Sequence, residues 1–329
     1  MQRWMIDADP PPSGSWDRTF LASDDARSAS GADMTRIVFV GECMVEVAPS
    51  HDGLHRVSYA GDTFNMAWYL ARLRPDWHVD YLTDIGSDAV SDTMFAEIGK
   101  AGIGTGAIRR RTDATVGLYL VTLRDGERSF AYWRDRSAAR GLADDADRLD
   151  AALVGADAVV ISGITLAILP AAGRKTLISA LTRARAAGSL VGFDPNLRSA
   201  LWSDADTMRA AIMDAASISD VVWPSFGDEA DAFGDTDPET TLSRYRDAGV
   251  REVAVKDGAG PVVFMDGDAI RSHAPEPVDE IIDTTAAGDS FDAAWLAARL
   301  IGEPPSIAVA RACALSARVI GGRGALVPV

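Results

Sequence analysis

Short apolar runs rich in β-branched residues recur along this chain with helical stretches between them, and that alternation constrains the fold most tightly. The runs fall at 37–40, 158–161, 190–193, 221–223 and 253–255. Each is apolar throughout, as expected for a strand covered on both faces. Helical periodicity fills the intervals, for instance at 63–73, 174–187 and 207–216. The pattern predicts an α/β fold, a mostly parallel central sheet with helices on both faces. One region breaks the rhythm. Residues 115–123 and 128–133 read as two strands joined by a turn at Arg124-Asp125-Gly126-Glu127. Extended chain also lies at about 43–60, apart from this hairpin within 115–134.

The first 33 residues differ from the rest. Pro10-Pro11-Pro12-Ser13-Gly14-Ser15 and the stretch 23–31 are polar, turn-rich and without period. They predict a disordered extension over 1–33, with the folded part at 34–329 and Met34 just ahead of the first strand. This segment lacks the basic start, apolar core and small-residue cleavage site of a secretory signal. A formal net charge of −16 argues against a nucleic-acid or anionic-membrane partner, so an anionic substrate has to be met by local arginines. No apolar run reaches the roughly 18 residues a membrane helix needs. Cys43 and Cys313 have no metal-ligand spacing. They predict free buried thiols in a reducing, cytoplasmic setting.

The stretch Asp283-Thr284-Thr285-Ala286-Ala287-Gly288-Asp289-Ser290-Phe291 follows a short extended run at 280–282 and opens a helical pattern from Ser290 to about Leu300. Small residues let the backbone turn close around a ligand, while the helix aims free N–H groups and its positive dipole end at that point. That is an anion site with one carboxylate, Asp289, beside it. Asp289 is either a helix cap or a base that takes a proton from a hydroxyl while the turn holds charge on a transferring phosphoryl group, and spacing alone leaves both open.

This stretch resembles the C-terminal signature of the ribokinase-like (PfkB-type) sugar kinases, usually Asp-Thr-x-Gly-Ala-Gly-Asp, with Ala286 where the pattern carries glycine. Five further segments occur in the order seen in the branch of that family that acts on 2-keto-3-deoxy sugar acids. They are Gly41-Glu42-Cys43-Met44-Val45-Glu46, Gly61-Asp62-Thr63-Phe64-Asn65, Tyr132-Trp133-Arg134, the stretch 162–169, and Asp194-Pro195-Asn196-Leu197-Arg198. The resemblance runs from about Thr35 to the C-terminus. It implies a ribokinase-like fold with a small β-sheet lid built from about 43–60 and 115–134, ATP and Mg²⁺ as cofactors, and 2-keto-3-deoxygluconate as acceptor.

Residue by residue, the resemblance implies Asp289 as base, with Ala286, Ala287 and Gly288 forming the anion hole. Gly61, Asp62 and Asn65 grip sugar hydroxyls, although Asp62 or Thr63 equally reads as a helix cap. Alternation puts Tyr132 and Arg134 on one face of their strand. With Tyr119 they read as a lid core and a solvent arginine, or as groups reaching the sugar acid, whose carboxylate suits a guanidinium. Arg198 faces the acceptor or the transferring phosphate, and Asn196 approaches the nucleotide. Asp194 with Arg198 also reads as a structural pair. Lys256, Gly258 and Gly260 lie along the nucleotide, mainly through backbone. Asp283 orients the sugar or the turn.

Where the family carries Asn-x-x-Glu, this chain has Ser225 with Asp228 in that spacing and Glu229 adjacent, so either acid is a candidate to serve the metal through water. Two other readings stay open: a kinase of a neutral sugar such as fructose or ribose, and a silent sugar-binding scaffold. The exposed lid edge invites pairing with a second copy.

Overall fold

The computed structural model describes residues 34–50, 54–124 and 127–329. The expected N-terminal extension and the tip of the 124–127 turn lie outside the described residues. From Met34 onward the chain forms one compact unit.

The strands are β1 (Arg36–Val40), β2 (Met44–Pro49), β3 (His55–Ala60), β4 (His78–Ile85), β5 (Ile108–Arg110), β6 (Leu118–Arg124), β7 (Glu127–Trp133), β8 (Ala158–Ser162), β9 (Leu190–Asp194), β10 (Val221–Val222), β11 (Glu252–Val255), β12 (Val262–Asp266) and β13 (Ala269–His273). The helices used below are α1 (Asp62–Leu73), α2 (Phe226–Phe233), α3 (Pro238–Asp247), α4 (Ala287–Leu300) and α5 (Pro305–Ile320).

Nine strands form the central sheet in the order β13-β12-β11-β10-β9-β8-β1-β4-β5. From β11 to β5 every pairing is parallel, and β12 and β13 add an antiparallel edge. Each continuous apolar run of the sequence is a central strand. Their side chains divide between two cores, one on each face of the sheet. One core gathers Ile37, Phe39 and Val160 with Phe291 and Trp295 of α4, and the other gathers Val38, Val40, Ile161 and Phe193. Trp295 is fully buried, stacked on Phe291 and edge-on to Phe264. Truncating it to alanine would cost about 3–5 kcal/mol by the usual cavity rule.

The expected second sheet is present, with order β3-β2-β6-β7. β6 and β7 pair antiparallel, with Tyr119 opposite Tyr132 and Val121 opposite Phe130. A separate core of Met44, Ala60, Tyr119, Val121 and Ala325 backs it.

Two local expectations are corrected. The run 280–282 is not a strand; Ile281 and Ile282 are exposed, and the N–H groups of Ile282 and Asp283 donate to the Ile320 carbonyl at the end of α5. Those two bonds commit N–H donors that a strand pairing would use. The helix expected from Ser290 begins at Ala287, because Ala286 takes a left-handed conformation (φ 60°, ψ 15°) and turns the chain into α4 one turn earlier.

Candidate functional site

In an open parallel sheet the carboxyl ends of the strands face a shared crevice. Here those ends deliver Glu42 just after β1, Ser162 from β8, Asp194 from β9, Ser225 after β10 and Lys256 after β11. Two helices point their N-termini at the same edge: α1 begins with Asp62, and α4 carries Asp289 in its first turn.

Gly61 allows the first of these approaches. A Cβ there would come within 2.1 Å of the Glu42 carbonyl oxygen, so only glycine lets α1 start against the strand end. Asn65 Nδ2 donates to Asp289 Oδ2 at 2.7 Å, across 224 residues of sequence. Asn196 Nδ2 donates to Asp62 Oδ2 at 2.8 Å. Asn196 sits at φ 32°, a conformation asparagine tolerates better than most residues. These two bonds join Asp62, Asn65, Asn196 and Asp289, which lie on three separate segments of the chain.

Around Asp289 the N–H of Ala287 turns back onto the Thr284 carbonyl at 3.2 Å. That bond engages the Ala287 N–H within the turn, while the first-turn N–H groups of Gly288 and Asp289 have no intrahelical partner. Burial pushes the Asp289 carboxyl up to about 8; the charge of Asp62 adds to this, and Asn65 and Lys256 pull against it. A carboxyl held there exchanges its proton close to neutral pH.

The side chain of Lys256 enters the site, where sequence reasoning gave more weight to its backbone. Its ammonium lies 2.9 Å and 3.2 Å from the two oxygens of Asp292 and 3.6 Å from Asp194 Oδ2. Its backbone bridges Ser225, and the Phe226 N–H donates to its carbonyl. Gly258, left-handed at φ 55°, and Gly260 shape the turn that follows. Asp292 escaped sequence reasoning. Its signal was a second acid three residues after Asp289, followed by the apolar run 293–298.

On the small sheet, Arg134 lies just beyond β7 and is only 6% exposed, so it is not the solvent arginine of the bland reading. Its Nη2 donates to Glu42 Oε2, while its Nε and Glu42 Oε1 are buried without a hydrogen-bond partner. Glu42 was quoted in a motif without a role. The guanidinium lies 6.0 Å over the ring of Tyr132, so the two share a face as alternation required. Tyr119 donates its hydroxyl to Glu46 at 2.6 Å and packs on Tyr132 with ring centroids 5.9 Å apart. Arg198, half exposed, donates to Asp228 at 3.0 Å rather than pairing with Asp194.

Two expected site residues have other work. Glu229 is fully buried, and its oxygens accept from Arg244 at 2.7 Å and Tyr245 at 2.8 Å, which ties α2 to α3. Both oxygens are engaged and out of solvent, so the expectation that Glu229 serves a metal is corrected: it is a structural acid, while Asp228 is partly exposed. Asp283 accepts from the Thr285 N–H and hydroxyl and from the Gly324 N–H, at 3.0, 2.7 and 2.7 Å. These bonds hold the turn.

A cavity of about 680 Å³ opens at the opposite, amino end of β1 and β4, lined by Arg36, His78, Asp80 and Arg148. Its arginines are paired with Asp80, Asp84 and main-chain carbonyls.

The sequence pattern of the pfkB family carbohydrate kinases matches residues 34–329. The chain belongs to that family. It is 38% identical over 302 residues to a 2-dehydro-3-deoxygluconokinase of Dickeya dadantii, covering 89% of this chain and 97% of that protein. Among solved structures, a PfkB protein from Polaromonas sp. JS666 superposes with TM-score 0.77 at 29% identity, over 88% of this chain and 96% of that one. A putative ribokinase II from E. coli, in complex with ATP and Mg²⁺, shares the fold with TM-score 0.77 at 24% identity, over 89% and 94% of the two chains. This protein is thus a carbohydrate kinase whose central sheet and small second sheet are those of its relatives. Among its described residues no helix is long and apolar enough to cross a membrane.

Proposed function

We propose that the protein transfers the γ-phosphoryl group of ATP to the C6 hydroxyl of 2-keto-3-deoxygluconate, giving the 6-phosphate and ADP. The observation that carries this reading is Asp289. It is a carboxyl held near neutral titration in the first turn of α4 and tied to Asn65 of α1, in a family whose relatives carry this activity.

The donor groups fit magnesium ATP. Among the described residues no group of three or more acidic, His or Cys side chains could hold a metal alone, which suits Mg²⁺, an ion that keeps waters and is held largely through phosphates. Asp228, Ser225 and the turn at Lys256 would lie along it. When bound it supplies the phosphoryl group and part of the charge neutralisation.

The chain's own groups do the rest. Asp289 takes the proton of the acceptor hydroxyl as its oxygen bonds phosphorus. The N–H groups of Gly288 and Asp289 face the charge on the phosphoryl oxygens. Asp62 and Asn65 orient sugar hydroxyls, and Arg198 offsets charge between two anions that must approach each other. The unpartnered Nε of Arg134 offers a buried donor for the substrate carboxylate, with Tyr119 and Tyr132 beside it. A buried donor with no acceptor costs about 1–3 kcal/mol, which a bound carboxylate would recover. Closure of the small sheet would exclude water.

The test is ATP-dependent phosphorylation of 2-keto-3-deoxygluconate, its galactonate epimer, fructose and ribose. A kcat/KM preference for the keto-deoxy acids is expected, and turnover of neutral sugars alone would discard the acceptor. Arg134→Ala should raise KM for the acid by about 10–100-fold, as loss of a charged hydrogen bond does, and leave any neutral-sugar KM unchanged. Equal damage to both would remove the carboxylate role.

A further inference from the structure

The crevice floor holds more negative charge than it balances. Asp62, Asp194, Asp289 and Asp292 converge there, and Lys256 is the cation among them. The lysine is not loosely placed. Its ammonium is shared between Asp292 and Asp194, and a Cβ on Gly288 would stand 3.3 Å from it. It therefore lies directly behind the turn whose N–H groups serve the anion, one residue before Asp289.

We propose that Lys256 is a positioning residue for phosphoryl transfer, its buried ammonium, bridged between Asp292 and Asp194 behind Gly288, supplying the charge that lets Asp289 work as a carboxylate. The inference rests on the reading of Asp289 as base. An isolated buried Lys–Asp pair gives little net stability, because desolvation offsets most of the attraction. A pair placed under a reacting carboxylate acts on that carboxylate instead. The groups facing Asp289 are Asp62 and Asn65 from α1, Asp194 from β9 and Lys256 after β11. Of these, Lys256 and the Asn65 amide favour its charged form, and Asp62 and Asp194 oppose it. Burial alone would lower the lysine's own titration, but Asp194 and Asp292 outweigh this and keep it charged. Asp292 anchors the ammonium in place.

The inference separates from a purely structural ion pair through a double variant. Lys256→Met alone leaves Asp292 buried and uncompensated, so a fall in Tm is expected on either account. Lys256→Met/Asp292→Asn removes the pair as a unit and should recover most of that Tm. If Lys256 positions the reaction, the double variant still shows the acid limb of kcat/KM moved up by about one pH unit or more. Its kcat at pH 7 should stay at least tenfold down. The carboxyl ¹³C titration of Asp289, assigned with Asp289→Asn and recorded without nucleotide or sugar, should move up by the same amount. A double variant with wild-type Tm, acid limb and ¹³C titration would overturn the inference. Wild-type protein that phosphorylates none of the four sugars would instead count against the function reading, and the ¹³C titration would still decide the role of Lys256.

Discussion

Two carboxylate clusters lie in this protein, and they are balanced in opposite ways. At the edge of the central sheet, Asp84 and Asp144 meet three guanidiniums. Arg109 lies 2.5 Å from Asp84 and 2.6 Å from Asp144, Arg111 lies 2.7 Å from Asp144, and Arg148 lies 3.1 Å from Asp84. Burial works to raise the Asp144 carboxyl, but hydrogen bonds from Arg111 and Arg109 outweigh it and hold it below the usual carboxylate range. In the crevice, four aspartates share one lysine, and Asp62, Asp289 and Asp292 are all raised, chiefly by burial. The balanced cluster stabilises the fold. The unbalanced one holds a carboxyl near neutral titration, costly to stability and, on the function proposed here, suited to taking a proton.

Removing the base tests the crevice most severely. Asp289→Asn should lower kcat by about 10²–10⁴, the usual worth of a positioned general base. In the wild type, kcat/KM should rise through an acid limb near the Asp289 value of about 8, and the variant's residual rate should lack that limb. The sign for stability is the reverse. A carboxyl raised from 3.8 to about 8 in the fold keeps its proton there longer than in the unfolded chain, so it makes stability fall as pH rises between those values. Asp289→Asn should therefore raise Tm at pH 8 by a few degrees, about 1 kcal/mol, and by less at pH 5. Lower Tm at both pH values would refute the strained-site view.

The balanced cluster predicts the converse. Asp84 is fully buried beneath Arg109, Arg111 and Arg148, so Asp84→Asn leaves three cations without their central partner. A loss of about 3 kcal/mol in denaturant unfolding is expected, the size seen when one partner of a buried pair is removed. Its kcat/KM should stay within about twofold of wild type, read on the protein that remains folded. A large loss of turnover in folded Asp84→Asn would join the two clusters functionally. Linkage gives a second contrast: the depressed Asp144 adds stability that is present above its ordinary value of 3.8 and lost as pH falls below it.

Much of this arrangement was legible because its parts obey local rules. The buried strands announced themselves as β-branched runs, and Asp194 stands at the carboxyl end of one of them. Asp289 stood out at a small-residue turn before a helix, while Asp62, Asn65, Ser225 and Lys256 entered through the family resemblance. Pairwise neutralisation was not legible, since it depends on which distant side chains meet. Nothing near Glu229 in the sequence says that Arg244 and Tyr245 take both its oxygens, and nothing near Arg134 names Glu42, 92 residues away. Asp292 was missed for the same reason. Its partner is 36 residues upstream at a strand end, and the acid three residues after Asp289 shows its role only once that partner is found.

The smallest effect separates chemistry from backbone strain at the same turn. Ala286 holds φ 60° at the cap of α4, where the family pattern carries glycine. A left-handed alanine costs about 1–2 kcal/mol, while glycine adopts that conformation freely but loses more entropy on folding. Ala286→Gly should therefore be a net gain of about 0.5–1 kcal/mol in unfolding free energy, the difference of those two effects. If the turn's only task is to aim the Gly288 and Asp289 N–H groups, kcat should stay within about twofold, because Asp283 still fixes Thr285 and Gly324 around it. A stabilised protein with kcat down tenfold would mean that the methyl group of Ala286, which packs against the small sheet's core, helps set the turn against that sheet. The strain would then belong to the coupling between the small sheet and the base, and the balance of charge in the crevice would be only part of what makes Asp289 competent.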